Sequence, residues 1–203
     1  MSPFATPVPL SGQSVKLVPL SHSHHDGLVE AVRDGELWNH WYTTIPRPEN
    51  MAAEIQRRLD LQAKGSMCAF AVIDSAINQA VGMTTYMNID AAHRRVEIGS
   101  TWYRQSVQRT PINTEAKRLL LAHAFEQLDC IAVEFRTHFF NQQSRRAIER
   151  LGAKLDGVLR HHQINPHPLA AGALRDTCVY SILASEWPNV KTHLDYQLAR
   201  VRA

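Results

Sequence analysis

The sequence predicts a mixed α/β fold: one largely antiparallel sheet flanked by helices on both faces, in a single domain. Three observations lead there. Short apolar runs of strand length come in pairs separated by turn residues, the pattern of antiparallel hairpins. Stretches with apolar residues three and four apart lie between them, the pattern of amphipathic helices. One helical stretch, 113–128, sits between two strand-like runs and should join a parallel pair by a right-handed crossover. The chain has 203 residues, 44% of them apolar. That is enough to build a core without disulfides or a structural metal.

The elements follow in order. Residues 1–13 are rich in Pro, Ser and Gly and are expected as a loose lead-in, with 14–203 as the domain. Residues 15–20 read as a strand. Residues 26–33 read as a helix with Leu28, Val29 and Val32 on one face. Trp38, Trp41 and Tyr42, then Pro46 and Pro48, mark a loop that carries large aromatics. Residues 49–64 form the next expected helix: Met51, Ile55, Leu59 and Leu61 lie near one face, and Gly65 stops it. Strands are expected at 67–74 and 80–88 about a turn at 75–79, and again at 94–103. Gly99 inside that third strand suggests a bulge or a close approach by another group. The helix 113–128 shows an apolar face through Leu119, Leu120, Ala122, His123 and Phe125. A buried strand at 131–138 and a short helix at 142–151, ended by Gly152, come next. Strands at 154–164 and 174–183 are joined by a hairpin loop at 167–172, and a helix at 187–201 closes the chain.

Composition narrows the partners. A net charge of +3 is too weak to argue for nucleic acid, while a pI near 8.9 suits an anionic small ligand. Cys68, Cys130 and Cys178 are odd in number, widely spaced and set in apolar runs. They read as packed thiols of a reducing compartment. The first ten residues lack the pattern of a signal peptide, and no run approaches a membrane span, so the protein is expected in the cytoplasm without membrane partners. His22, His24 and His25 have no matching Cys or acidic ligands nearby, and no metal is expected. His161 and His162, adjacent on a strand, should point to opposite faces.

At 104–114 a strand ends, a loop follows and a helix begins. A helix N-terminus offers unpaired N–H groups and a positive dipole end, which suits a phosphate. Arg104 and Arg109 add charge, and Asn113 or Thr114 could cap the helix. The plainer reading of the same residues is a capped helix after a polar loop.

Several segments together resemble the GNAT superfamily of N-acetyltransferases, nearest its ribosomal-protein N-terminal acetyltransferase branch. They are the run 96–103, the segment Gln108-Arg-Thr-Pro-Ile-Asn113 before its helix, Asn141-Gln-Gln-Ser144, and Leu151-Gly-Ala153. The resemblance covers about residues 15–183. It implies acetyl-CoA as acyl donor, with the loop at 108–113 around the pyrophosphate. Gln108 matches the first position of the family loop, while Pro111 and Asn113 stand where the family carries glycines. Proline brings no N–H, and asparagine tolerates unusual backbone angles. The cofactor contacts that the resemblance implies are Trp102, Tyr103, Gln108, Arg109, Thr110, Ile112, Asn113, Thr114, Asn141 and Arg146. Arg145 is the alternative to Arg146, since adjacent helical residues point apart.

Acylation of an amine needs a base for the ammonium proton and a partner for the leaving thiolate; proximity supplies much of the rest. The resemblance gives these roles to Glu97 and Ser144, with Ile148 where many relatives carry a tyrosine. The plainer readings are that Glu97 faces solvent paired with Arg94 or Arg95, and that Ser144 makes a helix cap. The expected activity is transfer of an acetyl group to a primary amine, on a protein N-terminus or a small molecule. Use of succinyl-CoA and a non-catalytic binding module with a weakened cofactor grip are the alternatives. The closing helix is a candidate homodimer contact.

Overall fold

The structure, a computed structural model, describes residues 3–200. Two residues of the expected lead-in and Val201 of the expected closing helix lie outside the described residues. The chain runs β1 (Leu10–Ser11), β2 (Val15–Pro19), α1 (His25–Arg33), α2 (Met51–Ala63), β3 (Met67–Asp74), β4 (Gln79–Asp90), β5 (Arg95–Tyr103), α3 (Pro111–Glu126), β6 (Ala132–His138), α4 (Gln142–Arg150), β7 (Lys154–Ile164), β8 (Leu174–Leu183) and α5 (Trp187–Ala199). The strands form one sheet in the order β1-β2-β3-β4-β5-β6-β8-β7. Every neighbouring pair is antiparallel except β5–β6, the pair joined through α3.

Strand alternation sends side chains to two cores, one per face. On one face Cys68, Phe70 and Val72 of β3 pack with Ala116, Leu120, Leu121 and Ala124 of α3 and with Trp187, Val190 and Leu194 of α5. On the other, Met67, Ala69 and Ala71 of β3 pack with Leu28, Ala31 and Val32 of α1 and with Met51 and Ile55 of α2. Helices therefore cover both faces, as the sequence predicts. All three cysteines are buried and free. Burial alone pushes the Cys68 thiol up to about 12, so it is an inert packing group. No helix among the described residues is long and apolar enough to cross a membrane.

Three expectations change. The lead-in is anchored: Phe4 packs into the α3-side core, and β1 pairs with β2. The α3 helix begins at Pro111 and is capped by Thr110, whose hydroxyl accepts from the Ile112 N–H at 3.4 Å; neither Asn113 nor Thr114 caps it. Its fully buried stripe is Ile112, Ala116, Leu120, Leu121 and Ala124, with Leu119, Ala122 and Phe125 half-buried beside it.

Two local features shape the centre of the sheet. The β5–β6 pairing consists of Arg95↔Ala132, Val96↔Val133 and Glu97↔Glu134, and beyond that rung the strands part. In β5, Gly99 faces Thr85 while Trp102 faces Met83, so Ser100 and Thr101 together oppose Thr84. This bulge lies just after Gly99 and puts Ser100 at φ 46°, in the left-handed region. The Ser100 carbonyl accepts from the Arg58 guanidinium at 3.1 Å, and Arg58, only 2% exposed, is held by Glu54 at 2.7 Å. An ion pair on α2, with its arginine buried and its glutamate half-buried, therefore fixes the bulge of β5.

Candidate active site

Where β5 and β6 part, a cleft of about 880 Å³ opens. Its walls come from the loop at 37–45, from β4 to β8, from the N-terminal half of α3 and from α4. A volume of this size is that of a site for a sizeable organic ligand. Among the described residues, Glu97 is the only acidic one in the lining, against Arg109, Lys117, Arg136, Arg146, Arg150 and Arg175.

Glu97 stands on the last paired rung. Its residue is 5% exposed, so the reading of a solvent-facing carboxylate fails, and neither Arg94 nor Arg95 is its partner. Arg94 pairs with Asp129 and Arg95 with Glu134. Asn88 donates to Glu97 at 2.7 Å, and Arg136 lies 3.4 Å away. Burial raises the Glu97 pKa above the ordinary carboxylate value, a rise that Asn88 and Arg136 partly offset. The carboxylate also explains the internal glycine. A Cβ on Gly99 would lie 2.8 Å from Glu97 Oε1 and 2.7 Å from Met87 Sδ, so a side chain there would displace both.

The cleft passes through the sheet. Val96 and Ile98 point into the α3-side core, so by alternation Glu97 points to the α1/α2 side. The same rule puts Arg136 and His138 of β6 and Arg175 and Thr177 of β8 on that side, since Phe135, Cys178 and Tyr180 belong to the α3-side core. Lys117 and the first turn of α4 lie on the opposite side. Trp41 stacks edge-on against His138 at 5.0 Å between centroids, and the Trp41 carbonyl accepts from Asn165 at 3.2 Å. The aromatic loop is thereby tied to the β7–β8 hairpin, and Tyr42 reaches the cleft. Of the adjacent histidines on β7, His162 lines the cleft and His161 does not.

The remaining residues expected at the site divide. Trp102, Tyr103, Gln108, Arg109, Thr110, Asn113, Asn141, Ser144 and Arg146 all line the cleft. Ile112 and Thr114 do not: both side chains are buried in α3, at 5% and 2% exposure. Thr114 stands one turn into the helix, where its N–H is spent within the helix. Gln108 spans the mouth, donating to the Tyr103 carbonyl at 3.1 Å and accepting from Gln143 at 3.0 Å. Arg109 holds a left-handed φ of 65°. Pro111 occupies the first helical position, where a missing N–H costs the helix no hydrogen bond because that group has no partner within a helix.

The Asn141 side chain caps α4 by accepting from the Ser144 N–H at 3.0 Å. The Ser144 hydroxyl is not the cap. Arg145 turns away to the Tyr180 hydroxyl at 2.9 Å, and Arg146 faces the cleft.

Sequence reasoning missed Lys117, Asn88, Arg136 and Arg175. Lys117 is 6% exposed and donates to Thr101 at 2.8 Å and Thr84 at 3.1 Å. Burial pulls its pKa down to about 7. Its signal was its place in the stripe between Ile112 and Leu120. Arg136 and Arg175 gave no signal, because their side of the sheet is set by pairing. No group of His, Cys, Asp and Glu able to hold a metal occurs among the described residues.

The arrangement sets a buried carboxylate, an unpaired strand edge and a basic, capped helix terminus around one cleft. The profile of the acetyltransferase (GNAT) domain matches residues 14–154. A Bacillus subtilis (strain 168) protein provisionally named ribosomal N-acetyltransferase YdaF is 32% identical over 111 residues, 54% of this chain. That match spans 57% of the relative's length. The crystal structure of a GCN5-related N-acetyltransferase from Brucella melitensis is 32% identical, with a TM-score of 0.83 over 97% of this chain and 88% of that one. RimL, a ribosomal L7/L12 α-N-protein acetyltransferase, shares the fold at 18% identity, with a TM-score of 0.75 over 87% of this chain and 94% of that one.

Proposed function

The chain belongs to the GNAT acetyltransferase family, and from that premise we propose that it moves an acetyl group from acetyl-CoA to a primary amine by direct attack. The observation that carries this reading is Glu97: a buried carboxylate of raised pKa at the foot of the β5–β6 cleft, open to both sides of the sheet. Acetyl-CoA supplies the acyl group as an activated thioester. Gln108, Arg109, Thr110, Asn113 and Arg146 take its phosphates; Ile112 and Thr114 contribute no side chain. The free edge of β5 up to Trp102 and Tyr103 takes the amide-bearing arm as an added strand would, with Asn141 beside it. Glu97 removes the ammonium proton, directly or through water. The Ser144 hydroxyl, which makes no hydrogen bond among the described residues, protonates the leaving thiolate.

Pro111 at the first helical position costs the helix no hydrogen bond but withholds one of the free N–H groups of that terminus, so the phosphates rely on the remaining N–H groups and on the side chains named above. The names of the relatives favour a protein N-terminus as one acceptor class; a small-molecule amine is the other. Lys117 favours a second donor, because an amine in the cleft wall suits the free carboxylate of succinyl-CoA. We place the protein in the cytoplasm on its free, buried cysteines, and a homodimer through α5 is part of the same proposal. Calorimetry with acetyl-CoA and thiol release over an amine panel test the reading. No binding at millimolar cofactor would sink it.

A further inference from the structure

We propose that Arg175 makes the α1/α2 side of the cleft a carboxylate-recognition site, so that the acceptor is a small amine carrying its own carboxylate. The inference rests on the acyltransferase reading and names the class of its acceptor.

The argument is a balance of charge. Across β5 and β6, Arg95 pairs with Glu134 at 2.6 Å, Arg136 with the same carboxylate at 2.9 Å, and Arg136 with Glu97 at 3.4 Å. Two cations meet two anions there. Arg175 is left over. Its side chain lines the cleft, makes no hydrogen bond or ion pair among the described residues, and keeps its Nε buried without a partner. A half-buried guanidinium with an unused donor is costly unless something completes it. The Glu97 carboxylate is the charge that favours the Arg175 guanidinium among the described residues, and Arg136 and Asn88 already hold Glu97. His138 adds no further positive charge, since burial and Arg175 both favour its neutral form.

The missing partner is therefore an anion from outside the chain. The flat guanidinium fork suits a carboxylate, and it lies on the same side of the sheet as the base. An amino acid meets both groups at once: its ammonium faces Glu97 and its carboxylate faces Arg175. The α-amide of the same acceptor offers the guanidinium one neutral carbonyl in place of a charged pair of oxygens. Losing one charge-assisted contact of this kind costs about 10–100-fold.

The test is thiol release at saturating acetyl-CoA over matched acceptors: free amino acids, their α-amides and their decarboxylated amines. Wild type should favour the acids by about 10–100-fold in kcat/KM. Arg175→Gln should erase the preference by raising KM for the acids, and Arg175→Lys should restore part of it. Equal use of acid and amide, or Arg175→Gln lowering both alike, overturns the proposal. Succinyl-CoA forms the second arm. If Arg175→Gln abolishes only the use of succinyl-CoA and leaves acceptor preference intact, the carboxylate belongs to the donor and the proposal fails. Thermal shifts with acid against amide, with and without coenzyme A, read the same preference apart from turnover; equal shifts overturn it. Loss of acetyl-CoA binding would instead strike the acyltransferase reading.

Discussion

On the proposed function, Glu97 works by where it is buried. A base must be ionised to accept a proton, and burial raises its pKa. The acidic limb of kcat/KM should therefore lie above the ordinary carboxylate range, with activity falling as pH drops through the raised pKa. Glu97→Gln should lower kcat by about 100-fold or more and abolish that limb, measured by pH-dependent thiol release. Ser144→Ala should lower turnover roughly 10-fold and leave acetyl-CoA affinity nearly unchanged. Its helix cap comes from Asn141, so the fold should tolerate the change. At this scale the sequence was readable where chemistry and pattern coincide. The internal glycine at 99 signalled a bulge or a close approach, and the structure shows both, with Glu97 and Met87 as the close neighbours; the choice of Glu97 as candidate base came from the family resemblance. Arg175 was unreadable because nothing local says which strand lies opposite Glu97.

Elements carry the site by holding unusual backbone in place. The β5 bulge depends on α2, since the Arg58–Glu54 pair holds the Ser100 carbonyl. Arg58→Leu removes that contact and leaves Glu54 with Arg57 alone. It should cost about 2–4 kcal/mol in denaturant melts and reduce kcat/KM, although Arg58 does not line the cleft. Lys117 gives α3 a pH signature. Its folded pKa, about 7, lies below the unfolded value of 10.5. Between these values the unfolded chain binds the extra proton, so stability should rise as pH rises from 7 towards 10.5, with the penalty complete below 7. Lys117→Met should flatten this dependence and raise stability at pH 7 by about 1–3 kcal/mol, because Thr84 and Thr101 still bond each other at 2.8 Å. The start of α3 was misread for a physical reason. Proline breaks helix interiors but favours the first helical position, and the cap ahead of it decides which applies.

The whole molecule is two sheet halves joined at one narrow seam. Hairpins, the crossover and the two-faced layering were legible because they follow from periodicity and short connections. The width of the β5–β6 seam, the bulge and the two-residue strand β1 were not, because register is a property of pairs. A ligand that fills the cleft bridges both halves. At 100 times its Kd, acetyl-CoA should stabilise the fold by about 2.7 kcal/mol, a rise in Tm of about 5–10 °C by calorimetry.

The three-rung pairing of β5 with β6 also provides a clock. Backbone amides of β5 beyond Glu97 that point away from β4 have no strand opposite them, so solvent deuterium should reach them quickly in the free protein. Their counterparts facing β4 are locked in the ladder and should exchange slowly. Along one strand, alternate amides would then report opposite things: one set the opening of the fold, the other the occupancy of the cleft. Exchange into a peptide spanning 98–103 should therefore be biphasic, and only its fast phase should slow when acetyl-CoA is added.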